Sequence, residues 1–140
     1  MDILTNRFVI AILVPFLLFL AGGVGKKLVR GGKDWQRKDW YLGVDASLAA
    51  LSATLINFFE LTRLKKLVPA DASRYDRQQI ASLVFIAISF FLFLNVLAVH
   101  QNWETQDTNP RAQKIWLIGV SNFIGLGLMF VFLYIIKGVE

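Results

Sequence analysis

Asp45, Asn57 and Glu60 are the residues that could do chemistry in this chain, because they lie in a stretch, Trp40 to Leu61, that is otherwise apolar or small. A carboxylate in such surroundings needs water, a counter-charge or a proton, so it marks either a site or a contact. On a helix the two acids are 15 positions apart, or roughly 22 Å of rise. A bilayer core of about 30 Å would hold both just inside its edges. At about 100° per residue Asp45, Ala49, Ser52 and Glu60 fall on one arc with Ile56, and Asn57 lies beside it. Leu48, Leu51, Leu55, Phe58 and Phe59 fall opposite. The expectation is a small polar face with an acid at each end, formed by Asp45, Ala49, Ser52, Asn57 and Glu60.

Three roles suit such a face. Small residues let membrane helices approach closely, with the acids paired to nearby cations: Asp45 to Lys38 or Arg111, Glu60 to Arg63 or Arg74. Alternatively the face lines a water-filled path, since rings of carboxylates select cations and hydroxyl or amide groups serve between them. A protonatable carboxylate in a carrier is a third role.

The elements that hold this face are four apolar blocks. Apolar residues make up 56% of the 140, above the usual 45–50% or so of soluble domains, and mean hydropathy is +0.54. Phe8–Gly25, Ile80–His100 and Ile115–Ile136 contain no Asp, Glu, Lys or Arg. The fold class expected is an all-α, four-span integral membrane bundle, oligomeric, in a single domain over 1–140. Its spans are expected at about 8–28, 40–62, 78–100 and 112–137. The first block resembles a signal peptide in its charge and Ala21-Gly22-Gly23 ending, but is read as a retained span.

Local signals place the ends. Pro15 is tolerable inside a membrane helix, and Gly31-Gly32 is a stop for the first helix. Ser73-Arg74-Tyr75-Asp76 has capping spacing, which starts the third helix near Arg74. Asn109-Pro110 reads as a cap and first-turn proline for the fourth. Lys26, Lys27, Trp35, Trp40, Tyr41, Trp103 and Trp116 are expected as interfacial anchors. Ser82 and Ser89 share a face, and Ser121-xxx-Gly125 is a helix-association spacing. Asn95 is expected to bond across helices, and His100 to be solvated or to cap its helix.

Several functions are excluded or unsupported. Without Cys there is no thiol relay, Cys-ligated metal or disulfide. A single His gives no bis-His haem within one chain. Gly22-Gly23-Val24-Gly25 lacks the Gly-Lys-Ser/Thr that a phosphate loop needs. No nucleophile–base set exists, so no enzyme, cofactor or metal is expected. The net charge of +5 falls between apolar blocks, where lipid phosphate and not nucleic acid is the partner. Orientation stays open: seven Lys and Arg lie on the side of the termini and eight on the other, which gives no excess to act on. Dual topology is one outcome.

The chain resembles small multidrug transporters in length and balanced charge, but their first-span Glu has no counterpart. It is similar in size to dual-topology fluoride channels, which Gly22, Gly23 and Arg30 echo. Ser89-Phe90-Phe91 is the nearest approach to their third-span signature. Neither family is assigned. The function expected is an oligomeric channel or pore in the cell (plasma or inner) membrane. A non-conducting accessory or scaffold subunit, and a small proton-coupled carrier, are the alternatives. The partners expected are the bilayer and either further copies or a membrane protein.

Overall fold

The computed structural model describes residues 7–104 and 109–136, and among them every regular element is helical. Helix α1 is Arg7–Arg30, α2 is Gly43–Leu67 and α3 is Ala72–Glu104. The fourth helix, α4, starts at Pro110–Gln113 and continues through a π-helical stretch, Lys114–Val120. It returns to α geometry over Ser121–Val131 and closes with π-helical Phe132–Ile136. The expected end near Lys137 lies outside the described residues. All four helices are long and apolar enough to cross a membrane.

The ends follow the local chemistry. Gly31 has φ +74°, and its N–H reaches Lys27 O and Leu28 O at 3.2 and 3.1 Å, the left-handed finish that glycine makes cheap. Asn109 Oδ1 accepts from Ala112 N–H at 3.2 Å, with Pro110 in the first turn. The capping signal at Ser73 is displaced. A 3-10 turn, Pro69–Asp71, leads into α3 at Ala72, because proline at its first position sets φ for the entering turn. At 33 residues, α3 is about 50 Å long, longer than its apolar block; its first turns carry the Lys65–Asp76 ion pair.

Helix α2 is central. It packs on both α3 and α4, whereas α1 rests on α4 and on the connection that follows it. The buried residues of α2 are Gly43, Ser47, Ala50, Leu51, Thr54, Asn57 and Leu61. Leu51 apart, they step by four and three residues, the 3.5-residue period of two helices winding left-handed around one another. Gln78, Ser82, Phe85 and Ser89 of α3 step in the same way and are buried too. The expected shared face of Ser82 and Ser89 is this seam, where both are fully buried. Apolar filling comes from Ala50, Phe85, Leu128, Met129 and Phe132.

The closest approach is between α2 and α4. A Cβ on Gly43 would collide with the backbone carbonyl of Ser121. One on Gly125 would stand 2.8 Å from both Ala46 Cβ and Gly43 O. Ser121-xxx-Gly125 is thus a helix contact, with Gly43 as its counterpart. Ser121 also turns the π-helical stretch to account: its N–H and its Oγ both bond Trp116 O, the latter at 2.8 Å.

Gly43→Leu is expected to destabilise the purified protein by about 1–3 kcal/mol, the cost of overpacking a close seam. Gly127→Ala, which meets nothing within 4 Å, should leave the melting temperature in detergent unchanged or slightly raised. Circular dichroism melts of the two variants check this.

Candidate functional site

Of the five residues expected on the small polar face, only Asn57 lies in the helix seam. Its Nδ2 donates to Ser82 Oγ at 3.4 Å. Asp45, Ala49, Ser52 and Glu60 are on the outward side of α2, together with Ile56, which is 68% exposed, and Phe59. The seam is therefore rotated by nearly half a turn from the arc centred on Asp45. The physical reason is steric: backbones approach most closely where Gly43 and Ser47 offer least bulk, and this approach outweighs the pull of the acids on the helix's rotation.

The α2 hydroxyls inside the seam bond within their own helix. Ser47 Oγ donates to Gly43 O and Thr54 Oγ1 to Ala50 O, each at 2.7 Å, so both hydroxyls are turned onto their own helix. On α3, Ser89 Oγ and Gln78 Oε1 are buried with no hydrogen-bond partner. Asn95, expected to bond between helices, instead donates to Phe91 O of its own helix at 2.7 Å.

Asp45 has a specific partner, though neither of those expected. Lys26 Nζ lies 2.7 Å from Asp45 Oδ2 and also donates to Tyr41 O at 2.6 Å. Asp45 is in the first turn of α2, where the helix dipole favours an anion. Its side chain is still 59% exposed. Beside it a cleft of about 210 Å³ opens between α1, α2 and α4, lined by Pro15, Phe19, Gly22, Leu42, Ala46 and Ala49 among others. Asp45 is the sole charged group in that lining. Glu60 is exposed near the far end of α2.

The most built part of the molecule is the connection between α1 and α2. Asp39 is 2% exposed. Arg30 grips it with Nε to Oδ1 at 3.0 Å and a terminal nitrogen to Oδ2 at 2.8 Å, and Gln36 N–H adds a third bond at 2.8 Å. These bonds, Arg30's first, hold the Asp39 carboxyl below the usual carboxylate range against the opposing effect of burial. Trp40 stacks between Phe19 and Trp35, at 5.7 and 5.2 Å between ring centroids. Gly23 leaves the room for it. Lys27 Nζ stands 4.3 Å over the Trp35 ring, a cation–π contact.

Asn122 of α4 ties this connection down. Its Oδ1 accepts from Leu42 N–H at 3.0 Å and its Nδ2 donates to Trp40 O at 2.7 Å. Tyr41 is buried against the edge of His100, with centroids 6.1 Å apart, and His100 Nε2 is 3.1 Å from Glu104 Oε2. His100 is thus packed and paired, not simply solvated. Trp103 and Trp116 stack at 6.3 Å, and Gln113 Nε2 donates to Trp103 O at 3.0 Å. All the expected anchors, Lys26, Lys27, Trp35, Trp40, Tyr41, Trp103 and Trp116, gather at this one end, as a cap over the bundle.

Asp39, Arg30, Asn122 and Gly43 are the residues that sequence reasoning passed over. Gly43-xxx-Ser47 carried the signal for the seam, and the polar Asn122 in an apolar helix carried it for the tie. Among the described residues no group of His, Asp or Glu could hold a metal ion. No protein-family model, curated protein or solved structure matches this chain.

All four tryptophans report on the cap. Since the Asp39 value is lowered on folding, its contribution is complete above the ordinary carboxylate value of about 3.9 and is lost as the pH falls through the folded value. Tryptophan emission should hold constant from pH 8 to about pH 4 and shift to the red only in stronger acid. Asp39→Asn should give the red-shifted emission already at pH 7.

Proposed function

We propose that the protein is a four-span membrane subunit that works by assembly, associating through the outward face of α2 with further copies or a partner helix, without conducting ions itself. The observation that carries this reading is the Lys26–Asp45 pair at 2.7 Å. A carboxylate at a pore mouth acts through its uncompensated charge. Here a lysine of the same chain compensates it, and further along the face Ala49 and Ser52 are small enough to let a neighbouring helix seat closely, with the exposed Ile56 beside them as apolar surface. The α2 side of the inner seam offers little to a permeating ion, since the Ser47 and Thr54 hydroxyls are turned onto their own carbonyls.

The oligomeric channel is the second reading, supported by Ser52 and Glu60 facing outward on the same strip as Asp45. In a ring of copies that strip would face the axis. A carrier would rest on the cleft beside Asp45, whose lining is otherwise uncharged. The cell membrane, in either orientation, is the setting for all three.

The readings separate in liposomes. Purified protein should pass no ion above the level of empty vesicles, and Ser52→Cys should form a disulfide dimer under mild oxidation while Ser73→Cys, exposed at the other end of the chain's fold, does not. Ion flux that falls at least tenfold in Asp45→Asn and Glu60→Gln would replace this reading by the channel. Proton-driven, saturable uptake abolished by Glu60→Gln would replace it by the carrier.

A further inference from the structure

The cap spends its charges unevenly. Lys26 is held by Asp45 and Tyr41 O, Lys27 by the Trp35 ring, and Arg30 by Asp39. Arg37 and Lys38, on the 3-10 turn Arg37–Trp40, are exposed and have no ion-pair partner among the described residues. Both line a cavity of about 350 Å³ with Trp35, Gln36, Tyr41 and Gln113. Of the acids at this end, Asp39 is buried under Arg30 and Asp45 is paired with Lys26, whereas Asp34 is exposed and Glu104 contacts His100, which offsets its charge only when protonated.

We propose that this cavity binds the phosphate of an anionic phospholipid headgroup, with Arg37 and Lys38 as its cationic contacts. Arginine offers paired N–H donors that match a phosphate, and lysine a mobile charge. The Trp35 and Tyr41 rings, apolar on one side and polar on the other, are the residues that sit at headgroup level. One turn further into α4 from Gln113, Trp116 and Ile115 present apolar surface outward, along which the acyl chains would run. A lipid supplies both the anion and the chains, and inorganic phosphate only the first, so a lipid is the occupant. This assignment rests on the membrane-spanning reading but not on whether α2 assembles or conducts.

Native mass spectrometry of the purified full chain in neutral detergent tests it, with dioctanoyl phosphatidylglycerol, dioctanoyl phosphatidylcholine and inorganic phosphate as probes. Phosphatidylglycerol should bind saturably and more tightly than phosphatidylcholine. Arg37→Gln and Lys38→Gln should each weaken it about fivefold, and the two together about thirtyfold. Lys33→Ala, an exposed cation outside the cavity, should leave it unchanged. The single variants keep the test open if the double variant folds poorly. Equal retention of the two lipids, undiminished binding in both single variants, or an equal loss in Lys33→Ala would overturn the proposal. Displacement of the lipid by inorganic phosphate at equal concentration would overturn the assignment to lipid.

Discussion

The close approach of α2 and α4 at Gly43 and Gly125 sets the rest of this structure. Two helices can come this near only where at least one of each facing pair carries no side chain, and Gly43 against Ser121 and Gly125 against Ala46 satisfy that condition. Once the crossing is made, the rotation of α2 about its axis is no longer free. Ser47, Ala50, Thr54 and Asn57 must turn inward, and Asp45, Ala49 and Ser52 must turn outward. The same crossing brings Asn122 beneath the start of α2, where it meets Trp40 O and Leu42 N–H. Two backbone groups at a helix start would otherwise be unpaired in apolar surroundings, at a cost of about 1–3 kcal/mol each. The cap thus depends on the seam.

Charge then follows packing. Among the described residues the cap end holds four acids, Asp34, Asp39, Asp45 and Glu104, and two of them, Asp39 and Asp45, are matched by Arg30 and Lys26 from the last turns of α1. Placing cations at the C-terminal end of α1 and an anion in the first turn of α2 also suits both helix dipoles. The pairs hold α1 at this end. Below them α1 rests on α4 and hardly touches α2, and the cleft containing Pro15, Gly22 and Ala49 is the gap that results. The helix is therefore anchored by polar contacts at one end and by apolar contacts, such as buried Ala11, along its length.

Much of the fold was legible because helix length and apolarity are properties of a segment alone. The four apolar blocks, the Gly31 stop and the Asn109 cap all survive folding for that reason. The rotation of α2 was not legible from its most conspicuous residues. Asp45 and Glu60 drew the reading to their own arc, whereas the seam follows the least conspicuous ones, spaced 43, 47, 50, 54 and 57. That spacing is visible in the sequence, and the absence of bulk at Gly43 is its strongest mark. Lys26 as the partner of Asp45 was hidden for a different reason. The pair joins two helices, and its geometry depends on a connection whose shape is fixed by Asp39 and Asn122.

The two kinds of polar residue in α2 consequently answer to different constraints. Ser47 and Thr54 are shielded by neighbouring helices and need no partner beyond their own carbonyls. Small hydroxyl residues of this type serve close packing, because a serine or threonine that bonds back to its own helix behaves as a small apolar side chain. Ser52 faces outward with Ala49 and Ile56, where packing within the chain explains nothing about its presence. Asp45 has its counter-charge within the chain, so the outward face carries little net charge at that end. A helix face that sets Ala49 and Ser52 beside Ile56, with Asp45 compensated within the chain, suits another helix better than it suits water, and the proposed assembly rests on this balance.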